Sequence, residues 1–302
     1  MTWFWIALAA PAVWGAINYV DKYIVTNYFS GKGVGSLVIF TSLSGAIMAV
    51  LILLFNSSSI SLSAISAIII AINGALLVAS FIPYLHALEK EEASVISTLF
   101  QLTPVFGYFL GLMFLNEHLS LFQIIGSLLI IGGAVTISLN LSKKIQFKLK
   151  PFLFMALSSF MIAVNSLVFK LVALQENFWG TAFWEYVGGF AFGAFLFFGI
   201  KLYRQQFVAT IKVSRNKVLG LNLVSEFMNI TAKLLANFAA LLAPLALVLA
   251  VNGFQPMIVF IYGLILTLFI PKWGKEKISR GILVQKFAAI IIIFVGTYFL
   301  FK

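Results

Sequence analysis

The chain has 302 residues, of which 62% are hydrophobic and only 10% carry a charge. A water-soluble protein needs a much larger share of charged residues on its surface, so the composition excludes a soluble globular protein. The net charge of +11 lies in short clusters between apolar blocks, a pattern typical of membrane topology signals and not of nucleic-acid binding. Because cysteine is absent, disulfides, thiolate metal sites and cysteine nucleophiles are excluded as well.

Ten apolar blocks of roughly 20 residues, the length that crosses a bilayer, follow one another along the chain. Only helices and closed barrels satisfy their backbone groups in lipid, and blocks this long and uniform are helices and not barrel strands. The sequence therefore predicts an all-α polytopic membrane protein with ten transmembrane helices. The first block lacks the basic start of a signal peptide, so we expect it to remain as the first helix. The blocks lie near residues 3–23, 35–55, 64–86, 93–115, 119–141, 151–174, 178–200, 218–242, 244–270 and 281–301.

Three connections between blocks are longer than the others and rich in Lys and Arg. They are residues 142–150, 201–217 and 271–281. In a ten-helix chain these connections fall on one side of the membrane, and the positive-inside rule places that side in the cytoplasm. We therefore expect both termini outside, in a protein of the bacterial cytoplasmic membrane.

The two halves of the chain resemble each other at a fixed offset. The offset that carries Pro104 onto Pro256 also aligns residues 97–111 with residues 249–263. Each half has five blocks, and since five is odd, the halves have opposite orientations in the membrane, as in many transporters. The predicted units are a first five-helix repeat at 1–141, a basic linker loop at 142–150 and a second, inverted repeat at 151–302.

The matched prolines predict interrupted helices. A proline inside a membrane helix frees a carbonyl group and bends the axis. Interrupted helices at equivalent places in two inverted repeats indicate a substrate site, so Pro104 and Pro256 are candidates for gating kinks. The alternative is a packing kink without a ligand.

Charged and amide side chains recur along one side of the eighth block. Asn222, Glu226, Asn229, Lys233 and Asn237 are spaced by 4, 3, 4 and 4 residues, which places them on one face of a helix. Such a face is not stable against lipid. We predict that it lines a water-filled cavity, and the alternative is a buried network in which Glu226 pairs with Lys233.

Candidate roles follow from the residue types. Lys233 is suited to hold a substrate carboxylate or phosphate as a point charge. Glu226, or Glu185 in the seventh block, is suited to bind an amine or to carry a proton. Aromatic residues are candidates for the walls of the site, with an interfacial belt or core packing as the alternative for each. The candidate substrate-binding residues are Trp14, Asn18, Asn73, Tyr84, Gln101, Trp184, Glu185, Asn222, Glu226, Asn229, Lys233, Asn237 and Gln255.

The most specific motif spans the fourth and fifth blocks. It consists of Ala93, Ser97, Leu99, Leu102, Pro104, Val105 and Phe106, then Leu115, Asn116 and Glu117, then Gln123, Gly126, Gly132 and Gly133. Together with "WGAINYVDK" in the first block, this motif resembles the EamA family of the drug/metabolite transporter superfamily. Asn116 stands where the family pattern has glycine, and "LTLFIPKWGKEK" in the second half lacks the glutamate turn. The resemblance implies an alternating-access carrier of two inverted five-helix halves around a central cavity.

We therefore expect a secondary transporter, an exporter or exchanger of small polar metabolites such as amino acids. The expected partners are a small-molecule substrate, the lipid bilayer and, if transport is coupled, protons; monomer and dimer are both open. The alternatives are a non-transporting scaffold or sensor with the same fold and a carrier of sugar phosphates or nucleotide sugars. We expect no enzyme, cofactor or metal, because His86 and His118 fall on opposite faces and no nucleophile–base set stands out.

Overall fold

The computed structural model describes residues 2–28, 34–88, 99–138, 148–213, 215–269 and 280–302. Within these ranges the chain is helical, with short connections and no strand. Two single 3₁₀ turns, Ser57–Ser59 and Asn252–Phe254, join neighbouring helices. The α-helices are α1 (Thr2–Tyr28), α2 (Val34–Phe55), α3 (Ala64–Leu88), α4 (Leu102–Leu115), α5 (Leu121–Ser138), α6 (Leu149–Gln175), α7 (Phe178–Gly199), α8 (Lys201–Val213), α9 (Arg215–Leu242), α10 (Leu245–Val251), α11 (Gln255–Phe269) and α12 (Arg280–Leu300).

Six segments in the described part of the chain are long and apolar enough to cross a membrane. Parts of α1, α4 and α5 are apolar but shorter, and α9 carries Glu226 and Lys233 within its length. The chain is therefore an integral multi-pass membrane protein, as its composition predicts. The six segments are Val34–Phe55, Ala64–Ala87, Leu149–Gln175, Phe178–Gly199, Leu245–Phe269 and Gly281–Leu300.

The helix ends meet at two opposite faces of the bundle. One face contains both ends of the chain, since the rings of Phe4 and Phe301 lie 5.1 Å apart. The connection between α2 and α3 lies at the same end as the start of α7, because the Trp184 indole donates a hydrogen bond to the Ile60 carbonyl. We call the end formed by these connections the terminal face.

The other end of the bundle is formed around α8, in a region where the sequence predicted a loop at 201–217. That prediction is wrong for residues 201–213, which form a helix against the start of α2. The Gly35 N–H donates to the Gln206 side chain at 3.0 Å, and the buried Phe207 ring packs 4.9 Å from Phe40. Spacing of about 3.6 residues brings Tyr203, Gln206 and Phe207 onto one side of α8, and this packing stabilises the helix. We call this end the α8 face.

Both prolines of the matched pair come shortly after an interruption of regular α-helix. A turn at Phe100 and Gln101 precedes α4, where the Thr103 N–H donates to the Phe100 carbonyl. The 3₁₀ turn Asn252–Phe254 separates α10 from α11. Pro104 and Pro256 therefore lie in the first turns of α4 and α11, where a missing N–H breaks no helical hydrogen bond. The prolines begin helices instead of bending them.

Helices α3 and α7 touch backbone to backbone through glycines. A Cβ atom on Gly74 would lie 1.8 Å from the Glu185 carbonyl oxygen, and one on Gly188 would lie 1.8 Å from the Ala71 carbonyl oxygen. Small residues at such crossings let membrane helices approach closely. This contact places Asn73 of α3 beside Glu185 of α7.

The replacement Gly188→Ala should destabilise the protein by about 1–3 kcal/mol or more, because its methyl group collides with rigid backbone and forces the helices apart. The measurement is the unfolding temperature in detergent. Gly132→Ala is the matched control, because no atom lies within 4 Å of its added Cβ and alanine favours a helix by about 1 kcal/mol over glycine. Equal unfolding temperatures for the two variants would contradict the close α3–α7 contact.

Candidate functional site

The polar face of α9 points into the bundle, as its periodicity predicts. Glu226, Asn229 and Lys233 are half-buried and Asn237 is buried, while the side chain of Asn222 lies outside the described residues. The other side of α9 is apolar and exposed, as expected for contact with lipid. Its exposed residues include Leu223, Val224, Phe227, Phe238 and Leu242.

Lys233 and Glu185 form an ion pair in the interior. The Lys233 Nζ lies 3.6 Å from Glu185 Oε2 and donates a hydrogen bond to Asn165 Oδ1 at 2.8 Å. Glu185 is 1% exposed, so this ion pair is shielded from solvent on the carboxylate side. The sequence offered Glu226 as the partner of Lys233, but residues seven apart on a helix are separated by about 10 Å. Glu185 reaches Lys233 from the adjoining helix α7.

Two asparagines complete the surroundings of this ion pair. Asn73 Nδ2 and Asn165 Nδ2 donate to Glu185 Oε1 at 3.2 and 2.8 Å. Each also donates to the main-chain carbonyl of the other, at 3.0 and 3.1 Å. Helices α3, α6, α7 and α9 therefore meet in one polar network, which we call the ion-pair cluster (Asn73, Asn165, Glu185, Lys233).

A second polar cluster surrounds Glu226. The carboxylate accepts hydrogen bonds from Thr41 Oγ1 at 2.9 Å, Ser44 Oγ at 3.2 Å and Asn229 Nδ2 at 3.4 Å. Asn229 Oδ1 in turn accepts from the Trp14 indole at 2.9 Å. This Glu226 cluster (Trp14, Thr41, Ser44, Glu226, Asn229) joins α1, α2 and α9.

The two clusters lie side by side along α9. Glu226 and Lys233 are two helical turns apart, about 10 Å. Three buried polar atoms close to this region lack a hydrogen-bond partner among the described residues: Asn73 Oδ1, the Tyr186 hydroxyl and Asn237 Nδ2. Buried polar groups are nearly always paired with protein, water or ligand, so these atoms offer capacity for a polar ligand beside the ion pair.

The other predicted residues lie outside these clusters. The Trp184 indole is bound to Ile60 at the terminal face, and the Tyr84 ring packs 5.1 Å from that of Phe100. Gln101 is buried just before α4, and Gln255 is half-buried at the start of α11. The side chain of Asn18 falls outside the described residues.

Three residues of the clusters were not predicted. Asn165 is a single amide within an apolar block, and an isolated polar residue at membrane depth is the signal that identifies it. Thr41 and Ser44 could not be singled out from the sequence, because serine and threonine hydroxyls often hydrogen-bond only to a carbonyl of their own helix. In addition to its contact with Glu226, Ser44 makes such a contact within α2, because its Oγ lies 2.6 Å from the Thr41 carbonyl oxygen.

A further buried ion pair joins the two halves of the chain at the terminal face. The Glu117 carboxylate, just after α4, accepts from the ammonium group of Lys170 in α6 and from the Leu245 N–H at 2.7 Å. Lys170 is 5% exposed and also donates to the Ala243 carbonyl at 2.7 Å. We call this set the Glu117 lock (Glu117, Lys170, Ala243, Leu245).

The turn after α4 directs Glu117 into this lock. Asn116 has φ 53° in the left-handed region, and the Glu117 N–H donates to the Gly111 carbonyl at 3.1 Å. Asparagine is one of the few residues other than glycine that adopts this conformation readily. A Cβ on Gly111 would lie 2.8 Å from Glu117 Oε2, so glycine leaves room for the carboxylate.

Glu176 makes an exposed contact that also lies at the terminal face. Glu176, after α6, accepts a hydrogen bond from the Ser63 N–H at 3.1 Å. Hydrogen bonds from the hydroxyls of Ser63 and Ser66 and from this N–H keep the pKa of Glu176 below its usual range. The α2–α3 connection is thereby tied to the α6–α7 turn.

Comparison with known proteins finds a family resemblance in the first half of the chain. Residues 1–139 match the model of the EamA-like transporter family. The resemblance to the EamA family is confirmed. The match indicates a membrane transporter of the drug/metabolite type and not an enzyme.

A solved crystal structure is similar in fold to this chain. The two have 14% sequence identity and a TM-score of 0.65, and the alignment covers 98% of each chain. At this identity the likeness concerns the fold alone. No curated protein sequence matches the chain.

Removing one charge of the ion-pair cluster should destabilise the protein more than removing both. Lys233→Met leaves Glu185 buried without its counter-charge, which costs about 3–5 kcal/mol, whereas loss of both charges is often close to neutral. We expect the unfolding temperature of Lys233→Met in detergent to recover partly when Glu185→Gln is added. Additive losses in the double variant would argue that the two charges do not interact.

Proposed function

We propose that the chain is a secondary transporter that moves small polar metabolites, with amino acids as the leading class, by alternating access through its centre. The observation that carries the proposal is the inward polar face of α9, with the ion-pair cluster and the Glu226 cluster side by side. Intramembrane ionisable residues usually mark a transport pathway. A scaffold without transport has no need of two charged clusters within an apolar bundle.

The spacing of the charges favours a zwitterionic substrate. Lys233 supplies a cation for a carboxylate group, and Glu185 and Glu226 supply anions for an amine. A bound amino acid would share Lys233 with Glu185, and the unpaired atoms of Tyr186 and Asn237 would bind its remaining polar groups. The half-buried Lys233 side chain, 17% exposed against 1% for Glu185, is the more accessible partner for an incoming carboxylate.

Alternating access requires that the bundle open at one face and close at the other. The Glu117 lock joins residues of both halves at the terminal face, which supports a conformation closed on that side. The matched turns before Pro104 and Pro256 support two inverted five-helix repeats with ten spans in total. We propose that the α8 face, which carries the exposed Lys201, Arg204 and Lys212, is cytoplasmic. Export or exchange, and coupling to protons through Glu226 or Glu185, are parts of the proposal that flux measurements test.

Reconstituted protein should show amino-acid flux that depends on both clusters. Lys233→Ala and Glu226→Gln should each lower flux about tenfold or more, since a hydrogen bond to a charged group contributes about 1.5–3 kcal/mol. The measurement is uptake of labelled amino acids into proteoliposomes, with and without an imposed pH gradient. A gradient that changes the rate indicates proton coupling.

Two tryptophans provide a matched control within the same chain. Each indole donates one hydrogen bond, Trp14 to Asn229 in the Glu226 cluster and Trp184 to Ile60 at the terminal face. Trp14→Phe should weaken substrate affinity several-fold, while Trp184→Phe leaves it unchanged. Unaltered flux in Lys233→Ala, Glu226→Gln and Trp14→Phe alike would refute the site.

Weakening the Glu117 lock should open the terminal face. The chain has no cysteine, so Ser44→Cys supplies a single thiol beside Glu226. We expect a membrane-impermeant maleimide, added from the terminal-face side, to label this thiol faster when Glu117→Gln is also present. Glu176→Gln is the control, because it removes a carboxylate from the same face without touching the lock. Equal labelling rates in the Glu117→Gln and control backgrounds would show that the lock does not close the pathway.

A further inference from the structure

We propose that the outer side of α8 is a binding surface for anionic phospholipid headgroups in the membrane leaflet at the α8 face. This inference does not depend on the transported substrate. It concerns a helix that the function proposed above does not use. It rests on the position of α8, on its two unlike sides and on its charge.

The inner side of α8 is fully engaged with α2 and α7. Gln206 binds the Gly35 N–H, and the hydroxyl groups of Ser36 and Thr210 are 3.0 Å apart. The buried Phe207 contacts aromatic rings on both neighbouring helices. These contacts fix the helix against the bundle, so its outer side keeps one orientation.

The outer side of α8 is basic. Lys201, Arg204 and Lys212 are all exposed, and they lie on the side of the helix away from Tyr203, Gln206 and Thr210. The helix contains no Asp or Glu, so no acidic residue of α8 itself offsets these charges. Leu202 is also exposed, at 58%, and provides an apolar contact at the margin of the basic surface.

The neighbouring end of α7 places this surface at the membrane boundary. Phe195 and Phe198, in the last turns of α7, are 65% and 74% exposed, as expected for side chains in contact with acyl chains. Lys201 follows within one turn. A basic helix directly after lipid-facing aromatic residues lies at headgroup depth, where anionic phosphates provide the complementary charge.

The position of α8 links lipid binding to the Glu226 cluster. Helix α8 directly precedes α9, which carries Glu226 and Lys233, and it packs on α2, which carries Thr41 and Ser44. Lipid that binds α8 therefore stabilises the position of two elements of the Glu226 cluster. Each basic side chain near an anionic surface strengthens binding about fivefold.

The test compares unfolding temperatures of the full chain in nanodiscs of neutral phosphatidylcholine and in nanodiscs that also contain phosphatidylglycerol. Wild-type protein should unfold at a higher temperature with the anionic lipid, and the increase should shrink at high salt because surface charges are screened. The triple variant Lys201→Gln, Arg204→Gln, Lys212→Gln should lose the increase while it unfolds like wild type in neutral discs. The control variant Lys201→Arg, Arg204→Lys, Lys212→Arg retains the charge and should keep the increase.

Three results would overturn the proposal. Wild-type protein without any stabilisation by phosphatidylglycerol is the first, and a triple Gln variant that keeps the full increase is the second. The third is an equal increase when free inorganic phosphate is added to neutral discs, because that would indicate an ion site and not a lipid surface. If the triple variant does not fold, the single variant Arg204→Gln replaces it. This variant should lose part of the increase in unfolding temperature. If it keeps the full increase, the proposed lipid surface is refuted.

Discussion

The ion pair between Lys233 and Glu185 is the constraint on which the interior of this protein depends. A charged side chain at the centre of a membrane helix costs about 2.5–3.5 kcal/mol on insertion scales, so neither residue is stable there without its partner. The pairing requires that α9 turn its polar side inward and that α7 approach α3 and α6. The glycines at the α3–α7 crossing permit that approach, and Asn73 and Asn165 then satisfy the remaining carboxylate oxygen.

Pairing of charged and polar side chains also determines the contacts between the two halves of the chain. At the centre, Asn73 of the first half binds Glu185 of the second, and at the terminal face Glu117 binds Lys170. Apolar helix surfaces gain little by associating in lipid, so polar contacts of this kind specify which helices adjoin. The alternating access proposed above would require some of these contacts to break, and each broken contact must then be replaced by solvent or substrate.

The sequence predicted what depends on period and length, and it missed what depends on partners from distant helices. The inward face of α9 followed from the 4, 3, 4, 4 spacing, and multi-pass helices followed from the apolar blocks. The partner of Lys233 did not follow, because Glu185 lies 48 positions earlier and only packing brings them together. Helix α8 was mistaken for a loop because its charges dominate the pattern, while Phe207 and Tyr203 define its packed side. Ten spans and two inverted repeats remain a prediction.

The turn at Asn116 shows how the chain departs from the EamA motif that its first half resembles and still keeps the contact between Glu117 and Lys170. The motif has glycine at this position, and the backbone here is left-handed, a conformation that asparagine tolerates and that β-branched residues do not. Glycine and asparagine can therefore both form the left-handed turn at residue 116. The backbone angle at residue 116, and not its side-chain chemistry, therefore limits which residues can precede Glu117 without moving its carboxylate from Lys170.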